Sequence, residues 1–507
     1  MTESATVAGT ADDSATESRD LPEGWESVEL RRLIEPSKEK VEPEASPNAR
    51  YLSLEHIEAQ TGRILGRGIG GDVRSTKAVF RAGDVLYGKL RPYLNKVCIP
   101  NFDGICSTDI LVFPQNEALD SRYLRAFLST PEVVSFANHH SSGVQLPRVS
   151  FNALGTLKIP LPPLAEQKRI VAEIDRLLAE VNKAREHLDR VPKILKRFRQ
   201  SILAAATTGR LTEDWRAGTS VELTGNQLVE AIQQKRVELG LKSAERVIDD
   251  EDIELPEDEL PETWCWCRAG QIADVRLGGT PSRKVPKYWD GSVPWVSSGE
   301  VANCRIAATA ERITDAGVDA SSAKLYPKGT VLIAMIGEGK TRGQSAILDI
   351  AATTNQNVAG LVFDAGYVEP EYVWLWALAE YEKTRSIGRG GNQPALNGRK
   401  VRALPMPLPP LEEQRQIVER ARMMLTVADE IEVSTDLAIR KSELVPQAIL
   451  AKALRGELVP TEAELARTQN RPYESATQLL ARISKGTDRD PQSSSNPKAR
   501  ERTRQTR

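Results

Sequence analysis

Two stretches of the chain set long cationic and amide side chains on glycine-bounded loops. Lys89 and Arg91 follow Gly88, and Gln145 and Arg148 lie in Ser141-Ser-Gly-Val-Gln-Leu-Pro-Arg148. The second half offers counterparts, with Lys340, Arg342 and Gln344 after Gly337 and Gln393 in Arg389-Gly-Gly-Asn-Gln-Pro-Ala-Leu396. A cation on such a loop can meet a phosphate backbone or a base edge, and a glycine-flanked glutamine can pair with adenine through two hydrogen bonds. The same side chains can equally be solubilising charge and solvated amide. On the residues alone both readings stay open.

Other chemistries find little to be built from. Gly66-Arg-Gly-Ile-Gly-Gly71 satisfies the letter of G-x-G-x-x-G, but no helical pattern follows it, so a loop is expected. Ala334-Met-Ile-Gly-Glu-Gly-Lys-Thr341 approaches a phosphate loop with alanine where its first glycine belongs. Cys265 and Cys267 alternate with Trp264 and Trp266 as in a buried strand, and their spacing is not that of a zinc knuckle. With four histidines and no H-E-x-x-H pattern, no metal site is predicted. Methyltransferase, helicase and Ser/His/Asp motifs are also missing, so no catalytic residue is expected in this chain.

The elements that would position the loops come as a repeat. Pro160-Leu-Pro-Pro-Leu-Ala-Glu-Gln-Lys-Arg-Ile-Val171 returns as Pro407-Leu-Pro-Pro-Leu-Glu-Glu-Gln-Arg-Gln-Ile-Val418, with nine identities in twelve at an offset of 247. The offset holds without a gap to Gln200-Ser-Ile-Leu-Ala204 and Gln447-Ala-Ile-Leu-Ala451. Leu21-Pro-Glu-Gly-Trp25 is echoed by Leu260-Pro-Glu-Thr-Trp264, and Gln227-Leu-Val-Glu-Ala-Ile232 by Gln478-Leu-Leu-Ala-Arg-Ile483. The layout is A-B-A′-B′, a variable domain followed by a repeated segment, twice. A long period used twice suits a pseudo-two-fold pair better than a solenoid.

Each repeated segment predicts a long helix. Apolar residues fall in 4-3 alternation at Ile170, Ile174, Leu177, Val181, Ala184, Leu188, Val191, Leu195, Phe198, Ile202 and Ala205, the seam of a coiled coil. Shifted by 247, the seam continues through Ile417, Ala421, Met424, Ala428, Ile431, Ala438, Val445 and Ile449. Prolines hold each entry extended, and Gly209 and Gly456 suit the C-caps. About 40 residues at ~1.5 Å each give rods of roughly 60 Å, kinked at Pro192 and Pro446. Periodicity alone also fits dimerisation. Two copies within one chain, each after a globular domain, favour antiparallel pairing and a spacer role.

The predicted fold class is therefore α+β: two mixed α/β domains separated by two long antiparallel coiled-coil helices. The expected divisions are a disordered tail at 1–20, a first variable domain at 21–159, and a rod with a trailing helix at 160–240. An acidic linker follows at 241–259, then a second variable domain at 260–405, a second rod with trailing helix at 406–484, and a disordered basic tail at 485–507. The 507 residues are 40% hydrophobic and 27% charged, within the range of soluble globular proteins. Five scattered cysteines argue against a disulfide framework, and no secretory signal or membrane span is read, so a cytoplasmic location is expected. The net charge of −2 conceals a basic remainder once the acidic run from Asp249 to Glu262 is set aside.

The Pro-Leu-Pro-Pro-Leu-x-Glu-Gln openings and Gln-Ser/Ala-Ile-Leu-Ala closings, with Leu21-Pro-Glu-Gly-Trp25 and Gly209-Arg-Leu-Thr-Glu-Asp-Trp-Arg216, resemble the specificity (HsdS) subunit of type I restriction-modification systems. The resemblance covers roughly residues 21–484. It implies that each variable domain reads one half of a split target in double-stranded DNA, and that the rods set the unread gap. It also implies two methyltransferase (HsdM-type) subunits carrying S-adenosylmethionine, and motor-nuclease (HsdR-type) subunits using ATP and Mg, with no cofactor on this chain. The alternative is a scaffold whose coiled coil binds only proteins.

Overall fold

The computed structural model describes residues 21–238, 253–337, 339–364, 366–387 and 396–487. The expected tail at 1–20, most of the one at 485–507, and the first part of the acidic linker lie outside them. The chain forms two compact units, Met1–His187 with Ala438–Arg507, and Leu188–Leu437. Each unit thus holds one variable domain, the beginning of the rod that follows it, and the end of the other rod.

In the first unit, strand Glu26–Glu29 pairs antiparallel with Lys158–Leu161, Glu26 facing Leu161, so the domain's two ends meet where the rod begins. Between them lie a five-stranded sheet, containing Lys77–Phe80 and Gly104–Cys106, and a three-stranded sheet of Val97–Cys98, Val85–Gly88 and Ile110–Phe113. The sequence from Ala78 to Pro92 reads as strand, glycine turn, strand. Both strands form, with Gly83 at a φ of 92° in the turn, but they enter different sheets. The core joins Tyr87, Phe113 and Tyr123 to Ile170 and Ile174 of the first rod and to Ile449 and Ala453 of the second.

The second unit repeats the plan. Cys265–Arg268 pairs with Pro405–Leu408, Cys265 facing Leu408, and again a five-stranded and a three-stranded sheet follow. Cys265 and Cys267 are buried, as alternation requires of a strand with one face in the core. The linker expected at 241–259 is not wholly solvated. Ile253 is buried in the core, and its carbonyl accepts a hydrogen bond from Arg268. An isoleucine gains more from that core than from water, whatever the charge around it.

The trailing helices cap themselves alike, Gln227 accepting the N–H of Thr224 and Gln478 that of Ser475. Gly225 then donates to Thr263, just ahead of the second domain, while Ala476 donates to Gly24, just ahead of the first. The last helix thus takes, before the first domain, the place that Gly225–Glu238 takes before the second. It runs to Thr487, past the boundary expected at 485.

The first rod comprises Leu164–Leu188 and Val191–Thr207, with Pro192 in the first turn of the second piece, where its missing N–H costs no helical bond. The second, Leu411–Leu454, runs through Pro446 without a break. Pairing is antiparallel in each unit: Arg169 meets Glu462 and Arg185 meets Ser442 in the first, Arg199 meets Asp429 and Arg420 meets Asp214 in the second.

The expected seam divides into two lines with different fates. Ile174, Leu195 and Ile202 are buried and Val181 and Leu188 half-buried; Ala421, Ala428, Thr435 and Ile449 are buried on the other rod. The interleaved line starts buried at Ile170 and Ile417, and Leu177 is half-buried, but Met424, Ile431 and Val445 are 40%, 43% and 37% exposed. These three are not in the pairing seam. Two helices in contact cover one narrow stripe and leave the neighbouring line outside.

Candidate nucleic-acid interface

Each domain is fastened to its rod by the residues of the repeated motif. In the first unit the Trp25 indole donates to Glu166 at 2.9 Å, and the other oxygen of Glu166 accepts the N–H of Glu462 at 2.8 Å. In the second, Trp264 donates to Glu413 at 2.9 Å, and Thr212 and Arg216 share the remaining oxygen. The adjacent glutamines act in parallel: Gln167 accepts the N–H of Asp120 and Gln414 that of Glu369, each at 2.8 Å. Tyr123 and Tyr372 donate to Pro160 and Pro407, each at 2.6 Å. A buried carboxylate must be fully bonded to persist, and these are. Burial pushes the Glu166 carboxyl up. At Glu462 burial acts the same way, but Arg169 and Arg471 outweigh it and hold the carboxyl low.

The loops rise from the strands so anchored. In the first domain, residues 89–96 join two antiparallel strands in which Leu86 faces Cys98. The segment 141–148 docks beside them: Arg91 N–H donates to Pro147 at 2.7 Å and Val149 N–H to Lys89 at 3.0 Å. Ser142 and Arg148 exchange both backbone bonds at 2.9 Å, and the Arg148 guanidinium grips Asp109 at 2.9 and 3.3 Å. Lys89, Arg91, Gln145 and Arg148, which are far apart in sequence, therefore share one edge. Arg91, Gln145 and Arg148 are exposed and Lys89 half-buried. Arg91 stands at a φ of 51°, a left-handed conformation unusual for its type, in a loop that fixes it at both ends.

The second domain has the same hairpin, with strands Val331–Ala334 and Ser345–Leu348 antiparallel. Leu396 N–H donates to Met335, as Val149 does to Lys89. Lys340 is exposed and Gln344 half-buried. Arg342 is only 6% exposed, so its guanidinium is not on the loop surface where the sequence places it. Helix Tyr381–Ser386 lies against this loop, the Tyr381 hydroxyl bonding Lys340 and the backbone of Arg385 crowding Gly343. Gln393 lies outside the described residues. The glycine run at 66–71 forms a short strand, Gly68–Ile69, and enters a three-residue 3-10 turn, Gly70–Asp72, with no α-helix following it.

A variable domain mounted on a helical rod by a Trp–Glu bond, and the whole arrangement present twice, defines a duplicated α+β protein with two candidate recognition edges. The profile of the type I restriction modification DNA specificity domain matches residues 22–188 and 261–431, and the chain belongs to this family. It is 32% identical over 232 residues to the type I restriction enzyme EcoDI specificity subunit of Escherichia coli, which covers 45% of this chain and 52% of that protein. To the EcoBI specificity subunit, also of Escherichia coli, it is 28% identical over 351 residues, 68% and 67% of the two chains. These alignments thus span between about half and two thirds of the relatives' length. The fold resembles the crystal structure of an HsdS subunit from Thermoanaerobacter tengcongensis, with a TM-score of 0.62 at 23% identity over 87% of this chain and 99% of that one.

Proposed function

We propose that this chain is the non-catalytic DNA-specificity subunit of a type I restriction-modification complex, reading a two-part target in double-stranded DNA with its two variable domains. The observation that carries this is the duplicated anchor. Trp25–Glu166 and Trp264–Glu413 fix two different domains to two equivalent rods. A device repeated with that fidelity under unlike sheets serves to hold two readers at a set separation, and two tethered readers gain affinity through effective concentration.

The first domain would read through Lys89, Arg91, Gln145 and Arg148, and the second through Lys340 and Gln344; Gln393, the remaining candidate of the sequence, lies outside the described residues. Arg342 belongs to the fold. The rods set the unread gap. The exposed line of Met424, Val427 and Ile431 in the second unit is an apolar stripe that needs a protein cover, and a methyltransferase subunit supplies one. Two such subunits would bring S-adenosylmethionine, and motor-nuclease subunits ATP and Mg, so this chain binds no cofactor of its own. Its place is the cytoplasm, beside the DNA.

The test is selection of duplexes from a random pool by this chain purified with the methyltransferase subunit of its own system. Enrichment of two fixed blocks around a constant gap is expected. Salt-sensitive binding without a motif, or no binding, would leave a protein scaffold instead.

A further inference from the structure

We infer that the first domain recognises an A·T pair through the thymine methyl group, with Val144 as the contacting side chain. The inference rests on the DNA-reading function proposed above and adds the chemical group that is read.

The argument starts from the contrast between the tip of the 142–148 loop and its foot. The foot is held by the two Ser142–Arg148 backbone bonds, the Arg91–Pro147 bond and the Arg148–Asp109 ion pair. Between these ties stand Gly143, Val144, Gln145, Leu146 and Pro147, without a single charge. Val144 is 102% exposed and so packs on nothing in its own domain, while Leu146 is 45% exposed. Gly143 takes a φ of 100°, and a Cβ there would lie 3.1 Å from the Leu146 carbonyl, so the tip is kept tight by a residue without a side chain.

A tip without charge has only the Gln145 amide and backbone N–H groups to offer a phosphate. Phosphate contacts fall to the cations at the foot, where Asp109 neutralises Arg148 and leaves Lys89 and Arg91. Held between them, the tip is presented to the base edges. The apolar group on the major-groove edge is the thymine methyl, and small aliphatic side chains meet it. Gln145, next in sequence, carries the donor and acceptor that match adenine N7 and N6, so one tip can address both members of an A·T pair or of neighbouring pairs.

The experiment uses the chain with its methyltransferase subunit and the duplex that the wild type selects. Each thymine of the first half-site is replaced in turn by uracil, which removes the methyl and keeps the pairing. One replacement should weaken wild-type binding about fourfold, the contribution of one buried methyl. Val144→Ala should bind the unmodified duplex as weakly and be indifferent to uracil at that position. Since Val144 touches nothing in its own domain, thermal unfolding of the variant should match the wild type. Uracil tolerated at every position, a first half-site without an A·T pair, or a Val144→Ala protein as sensitive to uracil as the wild type would overturn the inference. A wild type that selects no motif would instead overturn the DNA-reading function itself, and this inference with it.

Discussion

Trp264 donates its indole N–H to Glu413 across 149 residues of chain, at the same 2.9 Å as Trp25 to Glu166 across 141. Glu413 is fully buried and also accepts from Thr212 and Arg216, so it ties the domain and the closing end of the first rod to the opening turn of the second. Glu413→Ala would leave three donors without an acceptor in a closed space, at a cost of about 3 kcal/mol or more. Trp264→Phe removes one donor and should cost about 1–2 kcal/mol. Urea unfolding followed by tryptophan fluorescence gives both values. Equal effects would mean that Glu413 acts through Trp264 alone.

Two carboxyls in unlike surroundings should respond to acid with opposite sign. At Glu371 burial raises the carboxyl, but Arg422 and Arg305 outweigh it, so the folded protein holds it below its ordinary value. Its contribution is present above the unfolded pKa of about 4.3 and is lost as pH falls through the lower folded value. Glu166 is raised by burial, so its advantage is complete at acid pH and shrinks as pH rises through the folded value. The stability deficit of Glu371→Gln should therefore shrink from about pH 7 to about pH 3, and that of Glu166→Gln should grow. Urea midpoints measured across that range decide it; parallel slopes would contradict the two environments.

The contact between each domain's helix and its rod has the same place in both units and the opposite polarity. Arg122, just before Tyr123, meets Asp175 at 3.4 Å; Glu371, just before Tyr372, meets Arg422, the residue 247 places beyond Asp175. Attraction survives reversal of both charges, so the first pair should tolerate exchange. Arg122→Glu alone should cost at most about 1 kcal/mol, since both side chains are half in water, and Asp175→Arg in the same chain should restore it. A double-mutant cycle by thermal unfolding measures the coupling. A doubly exchanged protein less stable than either single variant would show that packing, not charge, sets this contact.

The sequence carried the architecture because the architecture is written in local and repeated signals. Prolines, 4-3 spacing and an exact offset lie within a few residues of one another or recur unchanged. The fastening of domain to rod was not legible: Glu166 and Glu413 sit in a motif visible at once, but their partners Trp25 and Trp264 lie far away in sequence. The one hint was that the Leu-Pro-Glu-x-Trp segments repeat with the motif. Arg91 and Arg342 looked alike for the same reason. Each follows a glycine and a lysine on a loop, but Arg342 is buried, and a helix some 40 residues later packs against its loop at Lys340 and Gly343. Ile253 shows the converse, one apolar residue in an acidic run finding the core.

The seam supplies the sharpest test of structure against pattern. By apolarity Met424 and Ile431 belong in it and Ala428 is among its weakest members, yet Ala428 is fully buried while Met424 is 40% exposed. Ala428→Leu, which strengthens the heptad on paper, adds three carbons at a fully buried position and should cost about 1–3 kcal/mol in unfolding free energy. Met424→Gln, which weakens the heptad on paper, should stay within about 0.5 kcal/mol of the wild type, because the side chain it makes polar keeps its length and already reaches water. In a conventional two-line coiled coil the order would be the reverse. The exposed methionine should instead declare itself in assembly: Met424→Gln combined with Ile431→Gln should leave the isolated chain as stable as before and reduce its co-purification with the methyltransferase subunit.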